Sequence, residues 1–166
     1  MDAGRPDRPP RMPTAQPSRE YYRRKLPHFQ NGDRTVFMSM STRGHLFLTP
    51  AARSIVLEHI VKEKRYALHC AVVMPDHVHM LFTLRRDDGH EYPMAEIMHS
   101  IRGASAHRIN KLLGRRGAVW EEEFFDRLLR YGEFEGTVNY ICSNPVRARL
   151  VQNELDYAWV WIAAEV

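Results

Sequence analysis

Two dense apolar runs, Tyr66 to Met74 and His77 to Leu84, stand back to back with only Pro75-Asp76 between them. Short apolar runs rich in Val and joined by a Pro-Asp break read as an antiparallel hairpin, and both runs have the character of central strands. The remainder of the chain therefore has to supply the strands that flank them and the helices that cover them.

Thr35 to Thr42 alternates Val36, Met38 and Met40 with Phe37, Ser39 and Ser41, which predicts a first strand. Thr49-Pro50 is an N-cap and first-turn pair, and Ile55, Val56, His59 and Ile60 follow at helical spacing, so a helix is expected over 50–64. Arg85 to His90 reads as a polar loop. Met94, Ile97, Met98, Ile101, Ser105, Ile109, Leu112 and Leu113 track one face of a helix that Gly114 ends. Val119 to Leu129 reads as a fourth strand, and Glu133 to Asn144 as a last helix stopping before Pro145. The order β-α-β-β-α-β-α predicts an α+β fold. Its first six elements match the ferredoxin-like split βαβ pattern, an antiparallel sheet with helices on one face.

At 166 residues with 44% hydrophobic content, one domain is expected over 21–166. Residues 1–20 hold five of the ten prolines and read as a disordered tail. The net charge is +4, and residues 1–34 account for it, with eight basic residues against four acidic. A basic arm on a balanced body is compatible with nucleic acid, and equally with a solvated tail. No run is long and apolar enough to suggest a membrane span, and the N-terminus lacks the apolar segment of a secretory signal. Cys70 and Cys142 are not spaced as metal ligands, so a reduced, cytoplasmic protein is expected.

Four groups of residues could carry chemistry. His77 and His79 are two apart on a strand, so their rings share one face while Val78, Met80 and Phe82 turn to the core. Such a pair suits one divalent cation, and equally a half-exposed strand face. Tyr140 and Asn144 are four apart on a helix and share a face. The phenol could attack a phosphodiester and the amide could ligate a cation, or the two could be a packing Tyr and a helix-end Asn. The basic side of the Met94–Leu113 helix, with His99, Arg102, Arg108 and Lys111, followed by Arg115 and Arg116, could track a phosphate backbone or be a solvated row. Glu121 and Asp126, beside Trp120, could assist a metal or a proton transfer, or be surface charges.

Three blocks together resemble the transposases associated with repetitive extragenic palindromes (REP), a branch of the single-tyrosine HUH, IS200-like superfamily. They are Val72-Val73-Met74-Pro75-Asp76-His77-Val78-His79-Met80-Leu81-Phe82, Trp120-Glu121-Glu122-Glu123-Phe124-Phe125-Asp126-Arg127-Leu128-Leu129-Arg130, and Tyr140-Ile141-Cys142-Ser143-Asn144-Pro145-Val146-Arg147-Ala148-Arg149-Leu150-Val151. The resemblance covers about Tyr22 to Trp161 and implies a ferredoxin-like nuclease domain. It implies His77 and His79 as ligands of Mg²⁺ or Mn²⁺, Asn144 in the place where related enzymes complete the site with Gln, and Tyr140 as nucleophile. The implied substrate is single-stranded or hairpin DNA, cut through a 5′-phosphotyrosine, by a monomer or homodimer. Arg23, Arg24 and Lys25 of the arm, with Arg102, Arg108, Lys111, Arg115 and Arg116, are the expected DNA-backbone contacts.

Two features depart from the family pattern. The tryptophan block often has Gln after Trp and a His or Tyr near Asp126, places held here by Glu121, Phe124, Phe125 and Arg127, and Arg149 stands where Gly is common. Two competing readings follow: a retired transposase that binds hairpin nucleic acid without cutting, and a metal-dependent hydrolase that uses water.

Overall fold

The computed structural model describes residues 34–163. The tail expected over 1–20 and the arm residues Arg23, Arg24 and Lys25 lie outside the described residues. Strand β1 (Thr35–Ser41) leads to helix α1 (Pro50–Lys62), then to the hairpin β2 (Tyr66–Val73) and β3 (His77–Leu84). A two-stranded ribbon, β4 (Arg86–Asp87) and β5 (His90–Glu91), occupies the segment expected to be loop. Helix α2 (Met94–Leu113), strand β6 (Phe125–Leu128), helix α3 (Phe134–Arg147) and strand β7 (Val160–Ile162) follow. The main sheet runs β6-β1-β3-β2-β7, antiparallel at every pairing. Its first four strands have the split βαβ arrangement read from the sequence, and β7 adds an edge.

The helix ends form where local chemistry directs. The Thr49 side chain accepts from the Ala52 N–H at 3.3 Å, capping α1 at its proline. Gly114 takes the left-handed conformation at φ 60°, and its N–H bonds to the Asn110 carbonyl to close α2. Helix α3 does not stop before Pro145 but runs on to Arg147. A proline so near a C-terminus removes one N–H from the ladder, and the carbonyls of Asn144 and Pro145 are taken up by the N–H groups of Ala148 and Leu150 at 2.9 Å. Arg149 then holds φ at 58°, the backbone state that glycine adopts without penalty.

Helices α1 and α2 cover one face of the sheet. There Val36, Met38, Met40, Val78, Met80 and Phe82 meet Val56, Ile60, Ile97, Met98 and Ile109 in the larger core. Helix α3 packs on the opposite face, against β2 and β3, closing a smaller core of Cys70, Val72, Met74, Leu81, Val138, Ile141, Tyr157 and Val160. Each fully buried aliphatic or aromatic side chain contributes about 1.5–3 kcal/mol of transfer free energy. The β2 register slips by one residue between Leu68 and Cys70, so that His69 is bulged out of the pairing with β3. Tyr66 and Leu68 thus face the larger core, whereas Cys70 and Val72 face the smaller one.

Candidate active site

Strand register assembles the site. One row across the sheet reads Phe125, Ser39, His79, Val72 and Val160, and the next reads Arg127, Phe37, Leu81, Cys70 and Ile162. His77 lies opposite Ser41. Paired residues share a face, so His77, His79, Phe37, Phe125 and Arg127 all project on the α3 side, while Val78 turns into the larger core. The imidazole rings of His77 and His79 are 4.8 Å apart between centroids.

The two rings have different surroundings. His77 Nδ1 lies 2.7 Å from the Asp76 carboxylate, an arrangement in which the Nδ1–H donates to that carboxylate. His79 is 8% exposed, stacked on Phe37 at 5.5 Å, and its Nδ1 is buried without a hydrogen-bond partner. Burial, with the neighbouring His77 charge second, pushes the His79 pKa down to about 4, so its ring is neutral at physiological pH. A buried, unpartnered imidazole beside a carboxylate-oriented one fits a divalent cation. Among the described residues no cluster of three or more His, Cys, Asp or Glu is placed to hold a metal ion.

Helix α3 brings Tyr140 to this pair. Val138, Ile141 and Cys142 are buried against the sheet, which leaves the Tyr140 ring on the flank of the helix, 40% exposed. Its centroid is 5.6 Å from that of His79 and 6.2 Å from that of Phe37, and the Arg147 guanidinium sits 5.0 Å from it. Phe134, near the start of α3, meets His69, and Tyr140 meets His79, so the helix advances toward the His77 end of β3. Asn144 lies one turn farther in that direction, on the Tyr140 side of the helix. Tyr131, the nearest other phenol to Tyr140 in the sequence, is 86% exposed in the turn after β6.

The opposite wall comes from residues remote in sequence. Ser39, Ser41, Thr42, Gly44, His45, Asp76, His77, His79 and Glu121 line a cleft of about 430 Å³. Trp120 bridges to Thr42, the Gly44 N–H donates to the Glu121 carboxylate at 3.2 Å, and His45 holds φ at 56° in the intervening turn. Trp120 is anchored by its indole N–H to Ser105 at 3.1 Å. This half of the tryptophan block is not strand: β6 begins only at Phe125, and Trp120 contributes an isolated bridge. Sequence reading weighed Glu121 and missed His45, whose only local signal is a Gly-His pair in a turn.

The basic residues divide between the two faces. Arg102 donates to the Glu121 backbone carbonyl and stands 6.0 Å from the Phe124 ring, so it buttresses the cleft wall. Arg108 pairs with Glu58 of α1 at 2.9 Å, and Arg115 bonds Asn110 and the Ala118 carbonyl. Lys111 and Arg116 are exposed. Helix α2, which carries this row, covers the face away from His77 and His79. Among the described residues, the cations that meet the site's rings are Arg127, which also pairs with Glu133 at 2.6 Å, and Arg147, neither singled out as a DNA contact from the sequence. Asp126 projects on the opposite face from Phe125 and Arg127 and does not join the cleft.

The family model described as transposase, IS200-like, matches residues 41–143, a span that takes in both histidines, the tryptophan block and Tyr140. No curated protein matches. Among solved structures the chain is similar to a REP-associated tyrosine transposase bound to a REP hairpin. The TM-score there is 0.62 at 18% identity, over 81% of this chain and 82% of the other. A protein of Deinococcus radiodurans R1 described as a transposase aligns at 16% identity and TM-score 0.44, over 72% of this chain and 96% of its own. Among the described residues no helix is long and apolar enough to cross a membrane.

Proposed function

The chain belongs to the IS200-like transposase family, and on that premise we propose that it cuts and rejoins single-stranded DNA through Tyr140. The observation that carries this reading is the Tyr140 ring, exposed on the flank of an otherwise buried helix face and set 5.6 Å from His79. In the proposed step the Tyr140 oxygen forms a bond to the scissile phosphorus and loses its proton. The bond from phosphorus to the 3′ oxygen breaks, and that oxygen leaves with the electron pair and takes up a proton. A 5′-phosphotyrosine and a free 3′-OH result, and attack by a 3′-OH from another end reverses the step. The covalent link conserves the bond energy, so joining needs no nucleotide cofactor.

His77, His79 and Asn144 would hold one Mg²⁺ or Mn²⁺, which when bound supplies charge neutralisation at the phosphate. The chain itself contributes the rest. Asp76 fixes the His77 tautomer, burial keeps His79 neutral, and Arg147 packs its guanidinium over the Tyr140 ring. The proposed substrate is DNA with a hairpin beside unpaired bases; the structurally similar REP-associated tyrosine transposase is bound to a REP hairpin. Arg108, Lys111, Arg115 and Arg116 of the α2 row would serve the duplex backbone away from the cut, and Arg102 would act at the cleft wall through Glu121. A cytoplasmic setting accords with the two free thiols, Cys70 and Cys142.

The deciding experiment incubates the full chain with single strands that carry imperfect hairpins and unpaired flanks, in Mn²⁺, and resolves the products on a denaturing gel. The expected result is a covalent adduct that Tyr140→Phe cannot form although it folds and binds. An adduct retained in Tyr140→Phe would move the nucleophile to another phenol, Tyr131 first. Nicking without adduct would indicate a water-using hydrolase, and binding alone a retired transposase.

A further inference from the structure

The exposed aromatic edge of the site has no part in the step above. Phe125 lies on β6, an edge strand, and is 57% exposed, an unusual place for a phenyl ring. It leans edge-on against Phe37 at 6.3 Å, and Phe37 in turn meets Tyr140 edge-on at 6.2 Å. Its cross-strand neighbour toward the cleft is Ser39, whose short side chain leaves open space between Phe125 and His79. Guanidinium groups flank this line of rings, with Arg127 5.9 Å from Phe37 and Arg147 5.0 Å from Tyr140. Aromatic faces interleaved with cations are what single strands require, because bases stack while their phosphates seek positive charge.

We infer that Phe125, backed by Phe37, is the stacking platform for an unpaired nucleobase beside the phosphate that Tyr140 attacks. This rests on the DNA-cutting reading and gives it a specific base-binding subsite. The platform is two ring contacts from Tyr140, a reach of roughly one or two nucleotides. Stacking on a phenyl face is tolerant of base identity, so Phe125 supplies affinity and register and leaves sequence choice to other contacts.

The test uses the full chain carrying Tyr140→Phe, so that binding is reversible and independent of cleavage. Two probes are compared at low salt: a short oligothymidylate and an abasic strand of the same length, which keeps the phosphates and lacks the bases. The oligothymidylate should bind about tenfold more tightly than the abasic strand, the order of one base–aromatic stack. Adding Phe125→Ala should abolish that preference by weakening the oligothymidylate alone, and Phe125→Trp should keep it. Equal binding of the two probes before Phe125 is changed would overturn the inference. So would a Phe125→Ala loss of equal size on both probes, which marks a merely structural ring. Failure of the parent reading appears separately, as a missing covalent adduct in the unaltered protein.

Discussion

The two faces of the sheet use the same alternation of residues for opposite ends. On one, Met38, Met40, Val78, Met80 and Phe82 are sealed by α1 and α2, and each is at most 2% exposed. On the other, α3 covers only the β2–β3 side, and Phe37, Ser39, Ser41, His77 and Phe125 toward β1 and β6 keep some exposure. Strands β1 and β3, which deliver Phe37, His77 and His79 to the second face, are pinned by apolar neighbours on the first, as Val78 and Met80 pin His77 and His79, whereas β6 is exposed on both faces. The comparison shows why a small sheet can hold polar groups in a fixed geometry: the sealed face supplies the stability, and the open face is free to carry unpaired donors.

The contrast can be broken most forcefully at Tyr140 and Phe82. Tyr140→Phe should remove adduct formation altogether and change the melting temperature little, whereas Phe82→Ala should destabilise by about 3–5 kcal/mol and lose activity only through unfolding. Calorimetry alongside the adduct assay checks both. Comparable destabilisation by the two changes would erase the distinction between the faces.

A pH titration of stability comes next. The folded pKa of His79 is depressed to about 4 against about 6.5 when unfolded. Below 6.5 the unfolded state takes up a proton that the folded state refuses, so stability is full above 6.5 and declines as pH falls toward 4. The decline is on the order of 3 kcal/mol at most, and His79→Ala should flatten it. Denaturant melts between pH 4 and 7.5 measure it, and an identical slope in the variant would remove His79 as the cause. Under the proposed cation role, Mn²⁺ at neutral pH should raise the melting temperature of the unaltered chain and leave that of His77→Ala unchanged.

Smaller effects sharpen the picture. Neutralising Arg127 should make the salt dependence of single-strand binding shallower by about one unit of log–log slope, a larger change than neutralising Lys111 on the far face. Equal changes would mean that the strand runs over both layers. Arg149→Gly should stabilise by about 0.5–1 kcal/mol, because it releases a bulky residue from a left-handed backbone, and urea melts would register the gain.

What was legible in the sequence follows from how local the cause is. The alternation around His77 and His79 is a period-two signal carried by adjacent residues, so their shared face could be read directly. Thr49-Pro50 and Gly114 act within one turn, and both helix ends fell where those residues placed them. The helix end at Pro145 was misplaced because proline excludes one hydrogen bond and the end of a helix can forgo it. Strand β7 is only Val160–Ile162 and exists because β2 offers an unpaired edge, which no local pattern announces. The cleft wall was invisible for a similar reason: Gly44 and Glu121 meet across 77 positions of chain. Helix α2 read correctly as amphipathic, yet its periodicity carries no information about which side of the sheet it covers.

The bulge at His69 has a consequence for how this gene can vary. Exchanging the residue there alters one side chain, a hydrogen bond between its Nε2 and the Thr83 hydroxyl at 2.7 Å among the contacts affected. Removing the codon differs from a deletion elsewhere in the strand. Leu68 faces Phe82 and Cys70 faces Leu81, so without His69 the ladder would run on regularly and Cys70 and Val72 would keep their places beneath Ile141. Position 69 should therefore tolerate the loss of a residue in descendant sequences better than its neighbours, because a deletion at Ala71 would turn the residues on one side of it to the wrong face.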